Sequence, residues 1–196
     1  MLTGNRPGAI GFTAVVATGN RAKIDLLRSE FDAVLAVPVT FEGRDPGTAE
    51  DRAEVGYLSA VRAKAGAVAA QLPGSVVVAH DSGFEFACLG GGPGPLTARY
   101  LSEHGFGALA ARLVPDSDVR VVHALAVAWN GVVRTFQHAD ERRVVADPMA
   151  RPGSGSLPVA ALTRGPRAAL RRCAAEAAAL WRPARSEAEE GSEGWV

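Results

Sequence analysis

The chain has 196 residues, 47% of them hydrophobic, and a formal net charge of zero. That length suits one domain with a core large enough to stand alone. Neutrality argues against a surface built for nucleic acid or another polyanion, and no apolar run is long enough to span a bilayer.

Residues 1–11 are polar, contain Gly and Pro, and lack a signal-peptide core. The expectation is a cytoplasmic protein with a flexible leader over 1–11. Phe12 to Ala17 reads as a buried strand. Asn20 to Phe31 reads as a helix, with Ile24, Leu27 and Phe31 on one face. Ala33 to Val39 is a second expected strand, and Phe41 to Gly47 a loop. Thr48 to Leu72 is an expected long helix, capped by Thr48 and closed by Pro73-Gly74. Ser75 to Ala79 carries three consecutive valines and reads as a strand buried on both faces.

Phe84 to Cys88 suits a short strand, and Gly90 to Pro95 is too rich in Gly and Pro for regular structure. Thr97 to Val114 is helical with a break near Gly105. Val119 to Trp129 and Val132 to Ala139 flank Asn130-Gly131, which suits a type I′ hairpin turn. Arg142 to Ala146 adds a further strand, 147–158 a loop, and Pro166 to Trp181 an amphipathic helix. Residues 182–196 are acidic and of low complexity, which predicts disorder. The order β-α-β-α-β, then a hairpin and a helix, predicts a mixed α/β sheet over a single domain of residues 12–181. Cys88 and Cys173 lack metal-ligand spacing and read as reduced, at least partly buried thiols.

Two segments carry polar residues to the ends of apolar strands. Thr18-Gly19-Asn20 joins a strand to a helix. Gly19 permits an unusual backbone angle or a close approach, and Thr18 and Asn20 can cap the helix or donate to an anion. The helix N-terminus adds partial positive charge. Lys23 falls in the first turn, where a cation costs a helix about 0.3–1 kcal/mol that an anionic ligand would reverse. A plain cap with a solvated lysine fits the same residues. Arginine outnumbers lysine nineteen to two, and the two lysines are Lys23 and Lys64. Asp81 follows the valine strand and precedes Ser82-Gly83. A carboxylate there can hold a metal or orient a water, or can cap a turn.

These segments, with Leu89-Gly90-Gly91-Gly92-Pro93-Gly94 and Thr97-Ala98-Arg99-Tyr100, resemble the nucleotide site of the inosine-triphosphate pyrophosphatase family. Its members clear non-canonical purine nucleoside triphosphates. The resemblance implies a mixed twisted sheet flanked by helices, in two lobes with a central nucleotide cleft. It implies a homodimer, a nucleotide substrate, and Mg²⁺ or Mn²⁺. By the family pattern Thr18, Gly19, Asn20 and Lys23 hold the phosphates. Asp81 is the general base and a metal ligand, and Ser82 contacts substrate. Arg99 contacts a phosphate or braces its loop.

The chain also departs from that pattern. His80 stands where the family has the first Asp of Asp-Asp-Ser-Gly. There it could join Asp81 at a metal, favouring Mn²⁺ over Mg²⁺, or turn into the core. On the long helix, Ser59 and Ala60 stand for the family's Glu and Asn. Glu85 could approach a metal, although a structural role suits it better. Residues 147–158 lack the aromatic residues that hold the family's purine. Leu162-Thr163-Arg164-Gly165 keeps Arg164 but loses a His. Base recognition should therefore differ from the family's, or be lost. Three readings stay open: a nucleoside triphosphate pyrophosphatase, a repurposed member acting on another nucleotide or phosphorylated metabolite, and a non-catalytic nucleotide-binding protein.

Overall fold

The computed structural model describes residues 12–35, 39–47, 56–145 and 158–180. The expected leader over 1–11, the Thr48 cap, the tail over 182–196 and nearly all of the 147–158 loop lie outside them. The described elements are β1 (Phe12–Ala17), α1 (Arg21–Asp32), β2 (Val39–Arg44), α2 (Tyr57–Gln71), β3 (Val76–Phe86), β4 (Pro93–Gly94), α3 (Thr97–Ala110), β5 (Asp118–Trp129), β6 (Val132–Val144), β7 (Thr163–Arg164) and α4 (Ala169–Leu180). Seven strands form one mixed sheet in the order β2-β1-β3-β5-β6-β7, with β4 paired to β3. β1 runs parallel to β2 and β3, and the β3-β5-β6-β7 portion is antiparallel.

The sheet is apolar on both faces because helices cover both. On one face Ala14, Val16, Val78, Leu125 and Val127 pack against Ile24, Leu27 and Phe31 of α1 and Leu170, Cys173 and Ala177 of α4. On the other, Ala17, Val77, Ala79, Val122, Ala124, Ala126 and Ala128 pack against Tyr57, Val61, Ala65 and Val68 of α2. Alanines on both partners leave little side-chain bulk between α2 and the sheet. Asp140 fixes α4 from β6. Its carboxylate accepts the Ala168 and Ala169 backbone N–H groups at 3.2 and 3.0 Å, as an N-cap does. It also pairs with buried Arg142 at 3.4 Å.

Asn130 and Gly131 both take positive φ, 48° and 79°, as the hairpin turn requires. α3 breaks at Gly105, whose φ is 81°. Both cysteines are free thiols, and Cys173 is buried.

Several boundaries differ from the sequence expectation; the strands expected at 132–139 and 142–146 are one strand, Val132–Val144, paired with β5 throughout. The second strand is Val39–Arg44, not 33–39, because α1 and its closing turn use the chain to Leu35. Gly43, which reads as a loop residue, sits in that strand opposite Val16 of β1, where a side chain would meet Ile24 of α1. α2 begins at Tyr57, with Gly56 at its N-cap in a positive-φ conformation of 97°, rather than at Thr48. Pro93 and Gly94 pair with β3 inside a segment expected to be irregular. The largest change is β3. It does not stop at Ala79 and turn at Ser82-Gly83. It runs eleven residues to Phe86, because β5 pairs with it from Val77 through Phe86.

Candidate active site

β1 pairs with β3 only as far as Val16↔Val78. Past that point β1 turns away into α1, and β3 continues along this edge until β4 pairs with it at Phe84 and Glu85. Asp81 lies three residues beyond Val78, at the carboxyl end of the parallel strands, where open α/β sheets bind ligands. Strand alternation puts it on the α2 face with Val77 and Ala79.

Two lysines converge on it. Lys23 Nζ, from the first turn of α1, lies 4.0 Å from Asp81 Oδ1. Lys64 Nζ, from the buried stripe of α2, lies 3.7 Å from Oδ2. The Asp81 side chain is 11% exposed, and those of Lys23 and Lys64 are 18% and 7% exposed. The Ser82 backbone N–H donates to Asp81 Oδ1 at 3.0 Å. Two lysines thus face one carboxylate in a water-poor setting, where charge acts strongly.

The α1 N-terminus borders the same place. Asn20 caps it, its Oδ1 accepting the Ala22 and Lys23 backbone N–H groups at 3.0 and 3.3 Å. Thr18 Oγ1 accepts the Asn20 N–H at 3.1 Å. Of the capping expected of Thr18 and Asn20, Asn20 caps the helix and Thr18 holds the cap residue, and the lysine beside them is mostly buried. Gly19 does not take positive φ, and a Cβ built on it would meet nothing within 4 Å. The unusual backbone angle expected there is absent. The space in front of Gly19 is open.

Gly83 is constrained by close approach. A Cβ there would collide with the Gly94 carbonyl and come within 2.6 Å of Tyr57 Oη. Ser82-Gly83 thus serves docking of the Gly90–Gly94 loop rather than a turn. Tyr57 is buried, and its hydroxyl lies alongside the Glu85 carboxylate without completing a hydrogen bond. Burial, then the charge on Glu85, push its pKa up and keep it neutral.

His80 points the other way. Its ring lies on the α1 and α4 face, where Nε2 shares a hydrogen bond with His123 Nδ1 at 3.1 Å and the rings stack at 5.4 Å. Its Nδ1 is buried with no hydrogen-bond partner. Burial, then His123, then the lysines hold its pKa well below the ordinary 6.5, so the ring is neutral. The expectation of His80 beside Asp81 at a metal is thereby corrected: consecutive strand residues face opposite sides.

The Ham1 family model matches residues 14–155, most of the chain. The chain belongs to the Ham1 family. A dITP/XTP pyrophosphatase of Nautilia profundicola is 34% identical over 92 residues, which are 44% of this chain and 43% of that protein. The chain thus matches less than half the length of that curated relative. Among solved structures, the Staphylococcus aureus Ham1 protein aligns with a TM-score of 0.53 at 20% identity, covering 74% of this chain and 79% of that one. A Ham1 protein from Coxiella burnetii aligns at 0.58 and 19% identity, covering 86% and 97%. These two likenesses show the fold, a mixed sheet flanked by helices.

The remaining residues singled out in the sequence have other partners in this Ham1 chain. Arg99, on exposed α3, donates to Glu103 at 2.8 Å. Arg164, on β7, pairs with exposed Asp116. Glu85 shares the Asp81 face but pairs with Arg120 at 3.0 Å. Lys64 and Tyr57 are the residues the sequence reading left without a role. Their signal was available: Lys64 is one of two lysines, and Tyr57 lies seven residues before it on the same helical stripe.

Among the described residues no three His, Cys, Asp or Glu side chains gather to hold a metal. Mg²⁺ prefers near-octahedral oxygen ligation. Here Asp81 faces a lysine at each oxygen, and Glu85 faces Arg120. The described residues therefore do not make a resident dication site. No helix among them is long and apolar enough to cross a membrane.

Proposed function

We propose that the chain is a nucleoside triphosphate pyrophosphatase, releasing a monophosphate and pyrophosphate. The observation that carries this reading is the Lys23–Asp81–Lys64 cluster beside the α1 N-terminus. The lysines and the helix end suit polyphosphate oxygens. Space in front of Gly19 lets a phosphate approach the backbone, whereas Ser82, expected to contact substrate, turns its side chain to the His80 face by the same strand alternation and offers Asp81 only its backbone N–H. Asp81 accepts a hydrogen bond from a water, which attacks the α-phosphorus. The bond to the bridging oxygen breaks, pyrophosphate departs, and the water's proton passes to Asp81. Lys23 and Lys64 offset the charge gathering on the departing oxygens.

Substrate class follows the curated relative, named a dITP/XTP pyrophosphatase. A homodimer, cytoplasmic residence, and roles for Arg99 and Arg164 at the substrate belong to the same proposal. The test is a nucleoside triphosphate panel assayed with Mg²⁺, with Mn²⁺ and with chelator, following pyrophosphate and orthophosphate separately. Pyrophosphate is the expected product. Orthophosphate alone, or neither product under any condition, sinks the reading. Sedimentation of the same sample reads the assembly state.

A further inference from the structure

The surroundings of Asp81 oppose a divalent cation. Each carboxylate oxygen has a lysine beside it, Lys23 Nζ at 4.0 Å from Oδ1 and Lys64 Nζ at 3.7 Å from Oδ2. Oδ1 also accepts the Ser82 backbone N–H at 3.0 Å. An ion bound through either oxygen at the usual Mg²⁺ distance would lie no more than about 6 Å from a lysine nitrogen. That holds whichever other ligands the ion finds. The three side chains are mostly buried, so water and salt screen the repulsion poorly.

The described oxygens closest in the chain are engaged elsewhere. Glu85 shares the Asp81 face but stands four residues along, ~13 Å at the usual strand rise, and pairs with Arg120 at 3.0 Å. Thr18 Oγ1 accepts the Asn20 N–H at 3.1 Å. The groups that do converge suit an anion. Lys23 stands in the first turn of α1, whose N-terminus adds partial positive charge. Lys64 reaches in from α2, and the space in front of Gly19 is open. Two lysines and a helix end can supply the positive charge that a dication would bring to a polyphosphate.

We propose that the lysine pair takes the place of a divalent cation: the site binds its nucleotide as the metal-free polyphosphate and cleaves it in that form. Added Mg²⁺ competes with the lysines for the same phosphate oxygens and weakens binding. Asp81 takes the water's proton, and the lysines meet the charge on the departing pyrophosphate. The inference rests on the pyrophosphatase reading for the identity of the ligand. Lysines that merely braced Asp81 would leave polyphosphate affinity unchanged when removed one at a time.

The test is calorimetric titration of inorganic tripolyphosphate into wild type, Lys23→Met and Lys64→Met, in chelator and in excess Mg²⁺, with a melting curve for each protein. Wild type should bind in chelator, and Mg²⁺ should lower its affinity. Each variant should lose about tenfold in chelator; if buried Lys64→Met fails to fold, Lys23→Met decides. Pyrophosphate release from a nucleoside triphosphate by wild type should survive chelator. Binding that requires Mg²⁺, release that only Mg²⁺ or Mn²⁺ restores, or folded variants that bind tripolyphosphate as wild type does would overturn the assignment and leave the pyrophosphatase reading standing. Mn²⁺ titrated into the ligand-free protein gives a second readout: saturable binding that Asp81→Asn removes would overturn the assignment too. Wild-type protein that binds no tripolyphosphate in either condition would overturn the pyrophosphatase reading as well.

Discussion

His80 and Asp81 are neighbours in the chain and live in opposite environments. Asp81 faces α2, with a lysine beside each carboxylate oxygen. His80 faces α1 and α4, neutral and stacked on His123. The pleat of one strand separates them, and β5 keeps that strand straight through both. A replacement in a paired motif thus alters the core on one side while the charged cluster on the other remains. It need not mean that the chemistry has been rebuilt.

The sharpest way to break this comparison is His80→Asp. If His80 belongs to the core, the change buries a carboxylate against His123. It should destabilise the fold by roughly 3–5 kcal/mol and leave the Mg²⁺ and Mn²⁺ dependence of any activity unchanged. Melting curves and metal titrations on the variant read both. A stable variant with a new Mg²⁺ preference would return His80 to the Asp81 side.

Gly83→Ala tests the Asp81 side from within. Its Cβ would meet the Gly94 carbonyl and the Tyr57 hydroxyl. The expected loss is about 1–3 kcal/mol from overpacking, read as a shift of the denaturant midpoint. No shift would mean that the Gly90–Gly94 loop does not dock on β3 as described.

The histidine side should also reveal itself through pH. His123 is pushed down to about 4, chiefly by burial, and His80 is likewise lowered. The unfolded chain, with histidines near 6.5, then binds more protons than the folded one as pH falls. The stability this adds is complete above about pH 6.5 and shrinks as pH drops toward 4, by up to about 1.4 kcal/mol per pH unit for each histidine. Denaturant titrations of wild type and His123→Phe should diverge in slope over that window. Parallel slopes would contradict a neutral buried pair.

Lys23→Ala should act on the other side alone. It removes a cation from the phosphate end and should weaken nucleotide binding by about tenfold or more. It also removes an unfavourable charge from the first turn of α1, so stability should change little. A large fall in melting temperature with intact binding would reverse the assignment.

Much of this architecture was legible in the sequence. Ile24, Leu27 and Phe31 announced the buried face of α1, Asn130-Gly131 the hairpin, and Gly105 the break in α3. Lys23 and Asp81 stood out because a cation in a first helical turn, and a carboxylate after three valines, both invite an anionic or polar ligand. What stayed hidden depended on partners distant in sequence. Ser82-Gly83 looks like a turn until β5 pairs with it and Gly94 packs on it. His80 looks catalytic until strand parity sends it to His123. Lys64 acquires meaning only when α2 brings it to Asp81.

The central claim is that the Asp81 side does the chemistry, and Asp81→Asn tests it most directly. Nucleotide binding by calorimetry and pyrophosphate release should be measured on the same preparation of wild type and variant. Binding should persist, because both lysines remain, and turnover should fall by about 10²–10⁴ with the loss of the base. A fully active Asp81→Asn protein would contradict the account.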